Sequence, residues 1–355
     1  MASTYLTLVN NVLRDMNEVE LTSSTFTSSR GVQTTVKDYI NRSISDILNS
    51  ELNWPFTRSE GSIDVIAGKG LYSYASISST LKYVDYDNVF LRPKNFITNG
   101  TYESSGSASI SGWTTVSGSP AASSKFGNTL LLSNAEASQE VTDLIVGREY
   151  VVLVQTSGAT LTLEIGTSSG GSQTASSTLT ISSANEVLIS RLEFTATATT
   201  HHVSFTEASG NSGFVKLVEL SEKDVDSIAL KYLSFEEYTE KFRERDAAVN
   251  TDKFASPEYV YTTYNDEIGI SPIPKDSNRT LNFDFYIANT DLSAATDTSI
   301  IPTRFEPVIH ARAKYYTNMF RSDVQTAQFA LKEYEEGLKR MRVELLNRKD
   351  YMRAV

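Results

Sequence analysis

The chain has 355 residues, a formal net charge of −11 at pH 7 and no cysteine. The missing cysteines exclude disulfides, thiolate metal sites and cysteine nucleophiles, and the acidic balance argues against tight binding along nucleic acid. The length fits two or three domains, and neither a signal peptide nor a membrane-spanning run of about 18 apolar residues is expected.

Residues 1–94 predict two helices followed by strands. Apolar residues recur at helical spacing over residues 3–17 and again over residues 30–52. The second helix must end before Pro55, because the proline ring disfavours helical backbone at the preceding residue. Glycines in the AGKG segment, residues 67–70, indicate a hairpin. The strand candidates around it are residues 61–66, 71–75 and 81–91.

The composition changes abruptly in residues 95–220, which are rich in Ser, Thr and Gly. Residues 96–220 contain four basic residues against ten acidic ones. Short alternating segments separated by Gly and Ser turns are typical of a β-sandwich or jelly roll. The predicted strands are residues 129–133, 140–141, 150–155, 160–165, 177–181, 188–195, 202–206 and 213–220. The sequence therefore predicts one α+β domain interrupted by an independently folded all-β insert.

Residues 221–300 predict a return to the first domain, and residues 301–355 predict two further helices. A Ser N-cap and an acidic first turn favour a short helix at residues 234–242, before a strand pair at 257–270 and 280–287. An apolar seam of about three heptads lies in the last helix and can pack within the chain or on another subunit. Its members are Ala327, Leu331, Tyr334, Leu338, Met341 and Leu345.

The sequence contains no recognisable catalytic constellation. Adjacent strand residues point to opposite faces, so His201 and His202 do not share a metal ion. The GTSSGG segment of residues 166–171 lacks the Lys-Ser/Thr ending of a phosphate-binding loop. Adjacent carboxylates such as Glu236 and Glu237 diverge on a helix and cannot converge on one bond. We therefore expect no enzyme, no metal site and no cofactor.

The flanks of the insert resemble the head-to-tail adaptor proteins of short-tailed bacteriophages, also called tail tubular A-like or connector proteins. Four stretches in a fixed order carry the resemblance, which covers most of residues 1–93 and 229–355. They are LNWPF (52–56), the strand entry GSIDV to LYSY (61–74), PEY to IGISPIP (257–274), and IPTRF (301–305) with the helical tail after it. The expected fold class is then α+β, a helical adaptor body with a small antiparallel sheet, interrupted by an all-β jelly-roll or sandwich insert.

The resemblance implies a virion protein at the head–tail junction. Such proteins form a ring, typically a dodecamer, that joins the portal protein to the tail nozzle protein and lets double-stranded DNA pass without specific binding. An acidic wall suits this passage, because like charges repel. The domains expected are residues 1–94 and 221–300 for the adaptor, 95–220 for the insert and 301–355 for a portal-docking tail. The predicted portal or subunit contacts are Arg304, Phe305, Tyr315, Phe320, Leu338, Met341 and Leu345.

The insert is similar to carbohydrate-binding, galactose-binding-like jelly rolls. The stretch NGTYE at residues 99–103, followed by SGW at 111–113, carries this resemblance. It makes Trp113 and Tyr102 candidate glycan contacts. Three roles for the insert stay open: decoration or docking of a tail fibre, sugar binding, and a purely steric or stabilising role. The alternative function for the whole chain is a carbohydrate-binding adhesin whose flanks anchor a lectin-like domain to the particle.

Overall fold

The computed structural model describes residues 3–181, 187–247 and 254–346, and the elements below lie within them. The α-helices are α1 (Tyr5–Asp15), α2 (Val32–Asn49), α3 (Tyr74–Ile77), α4 (Phe235–Lys241), α5 (Arg243–Ala247), α6 (Glu306–Phe320) and α7 (Val324–Leu345). Single 3-10 turns lie at Pro55–Thr57 and Thr303–Phe305. The last residues of the predicted docking tail, 347–355, lie outside the described residues.

The strands fall into three groups along the chain. The first group is β1 (Arg58–Asp64), β2 (Leu71–Ser73) and β3 (Leu81–Pro93). The second is β4 (Glu103–Ser104), β5 (Ser107–Ala108), β6 (Thr114–Ser117), β7 (Ala121–Ser123), β8 (Thr129–Leu132), β9 (Ala135–Val141), β10 (Glu149–Gly158), β11 (Leu161–Gly166), β12 (Ala175–Leu179), β13 (Val187–Thr195), β14 (His201–Glu207) and β15 (Gly213–Glu222). The third is β16 (Ile228–Ala229), β17 (Lys231–Leu233), β18 (Phe254–Ala255), β19 (Tyr259–Thr262), β20 (Glu267–Ser271), β21 (Ile273–Pro274) and β22 (Arg279–Ile287).

Helices α1, α2, α6 and α7 form a bundle around one hydrophobic core. The predicted helices at residues 3–17 and 30–52 are confirmed as α1 and α2, because each carries one apolar stripe that the bundle buries. The seam of α7 also faces this core, so it packs within the chain. Trp54, which follows α2 in the chain, is buried in the core of the bundle. Its indole N–H donates to the carbonyl oxygen of Ile47 at 2.9 Å.

Two four-stranded sheets lie beside the bundle and share a second core. Their strand orders are β1-β22-β3-β16 and β17-β19-β20-β2. The antiparallel alternation of β22 places Leu281, Phe283 and Phe285 in that core, whereas Asn282 and Asp284 face the other side. One face of the first sheet is therefore apolar and buried, and the opposite face is polar.

Two five-stranded sheets face each other as a β-sandwich around a third core. Their orders are β13-β10-β15-β8-β7 and β12-β11-β14-β9-β6. All buried members of this core lie between Ile97 and Leu220. Arg148 joins the sandwich to the neighbouring sheets, because its guanidinium lies 2.9 Å from Glu222 and 3.0 Å from Asp276.

The expected fold class, a helical adaptor body with a small antiparallel sheet, is wrong. Strand takes up 36% of the chain and helix 26%, and the chain is mostly β-sandwich. Outside the sandwich, two four-stranded sheets accompany the helical bundle. Strands of two or three residues, such as β16, β17 and β18, carry too little periodicity to be told from loops. The sequence pattern therefore understates the extent of sheet. The predicted strand at residues 71–75 also ends early, at Ser73, where α3 begins.

The second four-stranded sheet depends on a glycine. Gly269 of β20 pairs with Tyr261 of β19, and a Cβ at residue 269 would lie 2.2 Å from the Tyr261 ring. That ring stacks on Tyr238 of α4 with centroids 3.7 Å apart. We expect Gly269→Ala to displace the ring and to lower the free energy of unfolding by about 3 kcal/mol, because overpacking and loss of an aromatic pair act together.

The matched control for this prediction is Gly70→Ala. A Cβ at residue 70 would meet nothing closer than 3.4 Å, and Gly70 needs no left-handed backbone. Urea unfolding of both variants measures the two effects. Equal destabilisation by the two alanines would contradict the role assigned to the Tyr261 ring.

Candidate assembly interface

Four large apolar side chains are exposed at the bend between α6 and α7. Met319 and Phe320 end α6, Val324 begins α7, and Phe329 follows on the same helix. Their exposed fractions are 44%, 55%, 52% and 64%. We take this group of exposed apolar side chains as a candidate interaction site. We call these four residues the bend patch.

The bend that carries this patch is held by several hydrogen bonds. Arg321 donates to the carbonyl oxygen of Met16 at 3.1 Å and pairs with the carboxylate of Glu18. Asp323 caps α7 by accepting from the Thr326 amide at 3.1 Å, and its bonds to Thr326 lower the pKa of the Asp323 carboxyl. A surface fixed in this way loses less conformational entropy when it binds a partner.

A second, half-buried surface, the Arg312 cluster, lies where α2 and α7 meet α6. Arg312 pairs with Asp46 at 2.7 Å, and its guanidinium lies 4.7 Å from the ring centroids of both Tyr316 and Tyr334. The exposed Arg42 lies 4.4 Å from the Tyr316 ring. Burial, with the hydrogen bond to Asp46, raises the pKa of Tyr316. Arg and Tyr are the residue types that dominate binding hot spots.

Four of the predicted contact residues lie against the core of the bundle. Phe305, Leu338 and Met341 are 3%, 7% and 0% exposed, and Leu345 packs against the same cluster. In this bundle their side chains contact the chain's own helices, because the α7 seam faces inward. Their role in a contact with another protein stays a prediction.

The other three predicted contacts lie nearer the surface. Phe320 belongs to the bend patch, and Tyr315 is half-buried with the Arg312 guanidinium 5.1 Å from its ring. The Arg304 side chain is 62% exposed, 3.8 Å from Glu344. The structure thus places Phe320 and Tyr315 on the two surfaces described above, and the contact role of all three residues also stays a prediction.

Sequence reasoning missed three of the bend-patch residues. The helical period groups Met319 with the buried residues Val308 and Ala311, yet Met319 is exposed. Helix α6 contacts α1, α2 and α7 and is buried on several sides, so no single stripe marks its core face. No sequence pattern indicated that Val324 and Phe329 are exposed, because a sequence does not show which apolar face of a helix remains uncovered.

The two candidate glycan contacts lie inside the sandwich. Tyr102 is 0% exposed and Trp113 is 8% exposed, with ring centroids 5.5 Å apart. The Trp113 ring also packs 5.8 Å from Phe205 of β14. Burial raises the pKa of the Tyr102 hydroxyl well above its usual value. A sugar stacks on an exposed aromatic face, and neither ring offers one here, so glycan contact by these residues stays a prediction.

The histidines and carboxylates form no metal site in the described part of the chain, where no group of three or more potential ligands converges. On β14, His201 is buried and His202 is half-exposed, because adjacent strand residues alternate between faces. Burial lowers the pKa of His201 and of His310, whose Nε2 lies 3.3 Å from Asp15. Within the described residues, no helix is both long and apolar enough to cross a membrane.

The comparisons with known proteins give one family match and several distant structural neighbours. Residues 178–355 match the family model described as SU10 adaptor protein, and no curated protein matches the sequence. The enzymatically active domain of tailspike protein 4 from bacteriophage CBA120 shows 16% identity and a TM-score of 0.28 over 36% of this chain. The chain spans only 21% of that tailspike domain.

Two carbohydrate-binding proteins are similarly distant. TmCBM61, in complex with β-1,4-galactotriose, shows 20% identity and a TM-score of 0.28 over 37% of this chain and 99% of its own. The CBM22-1 xylan-binding domain from Paenibacillus barcinonensis Xyn10C shows 10% identity and a TM-score of 0.29 over 38% and 97%. TM-scores this low have no bearing on what the chain binds.

Proposed function

This chain belongs to the SU10 adaptor protein family, and from that premise we propose that it forms a ring joining the portal protein to the tail nozzle protein. The family makes the chain a structural component of a phage virion that associates with other head or tail components. The proposal adds the ring, its place at the head–tail junction and the passage of DNA through its lumen. It assigns the chain no catalytic activity.

The bend patch is the observation that carries this proposal. A ring closes through a heterologous contact, in which one surface of a subunit meets a different surface of the next. The bend patch supplies an apolar surface on a fixed backbone within the matched residues 178–355. The Arg312 cluster supplies a second surface on the same bundle, with Arg and Tyr side chains of the kind that anchor interfaces.

We propose that the sandwich, residues 95–220, is an insert that faces outward as decoration or as a dock for a tail fibre. The adaptor body then comprises residues 1–94 and 221–300, and residues 301–355 dock on the portal. Two observations support this division: the buried residues of the sandwich form their own core, and the bundle contains both the first and the last of the described helices. The net charge of −11 supports a lumen from which DNA is repelled.

Particle mass tests the proposed function. The purified chain is mixed with its portal protein, and the mass of the product is measured by mass photometry. We expect a discrete complex whose mass equals the portal plus a whole ring of this chain. A chain that stays monomeric with the portal present would contradict the proposal.

A further inference from the structure

A groove of about 590 Å³ crosses the polar face of the sheet formed by β1, β22 and β3. Its floor is Asn282 and Asp284 of β22, which are half-buried. One wall is Glu60 and Ser62 of β1, and the other is Phe90 with Arg92 and Asn88 of β3. The register sets Ser62, Asn282 and Phe90 side by side across the three strands. The groove follows from this register, because the floor residues Asn282 and Asp284 are shorter than Glu60 on one side and Phe90 on the other.

Several polar groups in this groove have no partner among the described residues. Beyond the backbone pairing of their strands, the side chains of Glu60, Arg92 and Asn282 form no hydrogen bond or ion pair with any described residue, although each carries strong donors or acceptors. Two other polar side chains of the groove do have partners. Asp284 pairs with Arg58, and the Asn88 amide donates to Asp85 at 3.2 Å. The groove therefore offers a free carboxylate, a free guanidinium and a free amide within one concavity.

We propose that this groove binds a neutral oligosaccharide. A sugar hydroxyl both donates and accepts, so a row of hydroxyls can satisfy Glu60, Asn282 and Arg92 together. The Phe90 ring, 37% exposed, gives an apolar surface for the carbon-bound face of a sugar ring. The volume lies in the range of about 300–1,000 Å³ that ligand pockets occupy.

The charges of the groove select against ionic ligands. Asp284 is neutralised by Arg58, so the free charges in the groove are one carboxylate, Glu60, and one guanidinium, Arg92. Glu60 repels an anion and Arg92 repels a cation, so neither kind of ion is favoured. This site lies on the sheet beside the helical bundle and not in the sandwich, and it is independent of the ring proposed above.

The test uses the full-length chain on an array of neutral oligosaccharides, with sialylated oligosaccharides as the anionic set. We expect binding to at least one neutral glycan, and we expect Phe90→Ala and Glu60→Ala each to weaken it about tenfold, because each removes one strong contact. Lys82→Ala is the matched control. Lys82 lies on the same strand β3 outside the groove, where it contacts Asn49, and its replacement should leave binding unchanged.

Three outcomes would overturn the proposal. One is an array on which no neutral glycan binds, and another is binding restricted to the sialylated set. The third is neutral-glycan binding that both groove variants leave intact. In that third case, a change of particle mass in Phe90→Ala and Glu60→Ala would identify the groove as a subunit contact instead. Thermal unfolding of each variant checks that these exposed substitutions leave the fold intact.

Discussion

Replacing Phe320 and Phe329 together by aspartate is expected to abolish ring assembly while leaving the bundle folded. Both side chains are more than half exposed, so each substitution should change the free energy of unfolding by less than about 0.5 kcal/mol. At an interface, an aromatic anchor contributes about 2 kcal/mol or more, and a buried unpaired carboxylate adds a further penalty. Loss of two anchors should therefore weaken subunit association by about a thousandfold or more.

The measurement is sedimentation of the full-length chain, alone and with its portal protein, together with thermal unfolding. Leu52→Asp is the matched control, because Leu52 is a large apolar residue with a similar exposed fraction, 67%, outside the bend patch. We expect the control to assemble as the wild type does. Assembly by the double variant would exclude the bend patch as the contact. A wild-type chain that never assembles would instead contradict the ring itself.

The helices of the bundle were predictable where one face alone is buried. Helix α1 buries Val9, Val12 and Leu13 on a single stripe, and that stripe is visible in the sequence. The same reasoning fails for α6, because three other helices cover it. The helical spacing of α6 places Met319 in the core, although the Met319 side chain is exposed. Apolar periodicity indicates burial only when one face of a helix is buried and the opposite face is exposed to solvent.

The sheets were predictable strand by strand but not as assemblies. Leu161, Leu163 and Ile165 alternate with polar residues in β11, and that alternation correctly indicates a half-buried strand. The parallel pairing of β17 with β19 joins short strands far apart along the chain, and no local pattern encodes it. Such pairings depend on long-range contacts, so the share of strand was underestimated.

The candidate surfaces were still harder to predict than the fold. Phe320 entered through a family resemblance, whereas Val324 and Phe329 look like ordinary core residues in the sequence. The glycan groove depends on the register that aligns β1, β22 and β3, because Ser62, Asn282 and Phe90 are far apart in sequence. A one-residue shift in that register would turn these side chains to the other face. The register of these three strands is visible only in the folded structure.

Glu207 of β14 holds two loops of the sandwich together. The residue is 1% exposed, and its carboxylate accepts from the amides of Asn134 at 2.8 Å, Ser209 at 2.9 Å and Gly210 at 3.0 Å. The hydroxyl of Ser209 donates to the same carboxylate. Asn134 lies between β8 and β9, and the other two lie between β14 and β15, so one side chain joins both turns.

Replacing Glu207 by alanine is expected to destabilise the sandwich by about 3 kcal/mol, because three turn amides lose a buried acceptor at about 1 kcal/mol each. Glu140→Ala, at an exposed residue on the neighbouring strand β9, should change stability little. Trp113 lies in the core of the sandwich, whereas Trp54 lies in the helical bundle. In a Trp54→Phe background the tryptophan fluorescence comes from Trp113, so urea unfolding monitored by fluorescence reports on the sandwich. Equal effects of the two alanines would contradict the assignment.

The same carboxylate is expected to make the stability of the sandwich depend on pH in acid. Burial acts to raise the pKa of Glu207, but the hydrogen bonds from Ser209, Asn134 and Gly210 outweigh it and hold the pKa below the ordinary value for glutamate. The unfolded chain therefore binds the proton more readily than the folded chain. The stabilisation is present above the unfolded pKa of about 4.3 and is lost as the pH falls through the lower folded value. Glu207→Gln should remove this part of the acid dependence, and a variant that keeps it would show that another carboxyl is responsible.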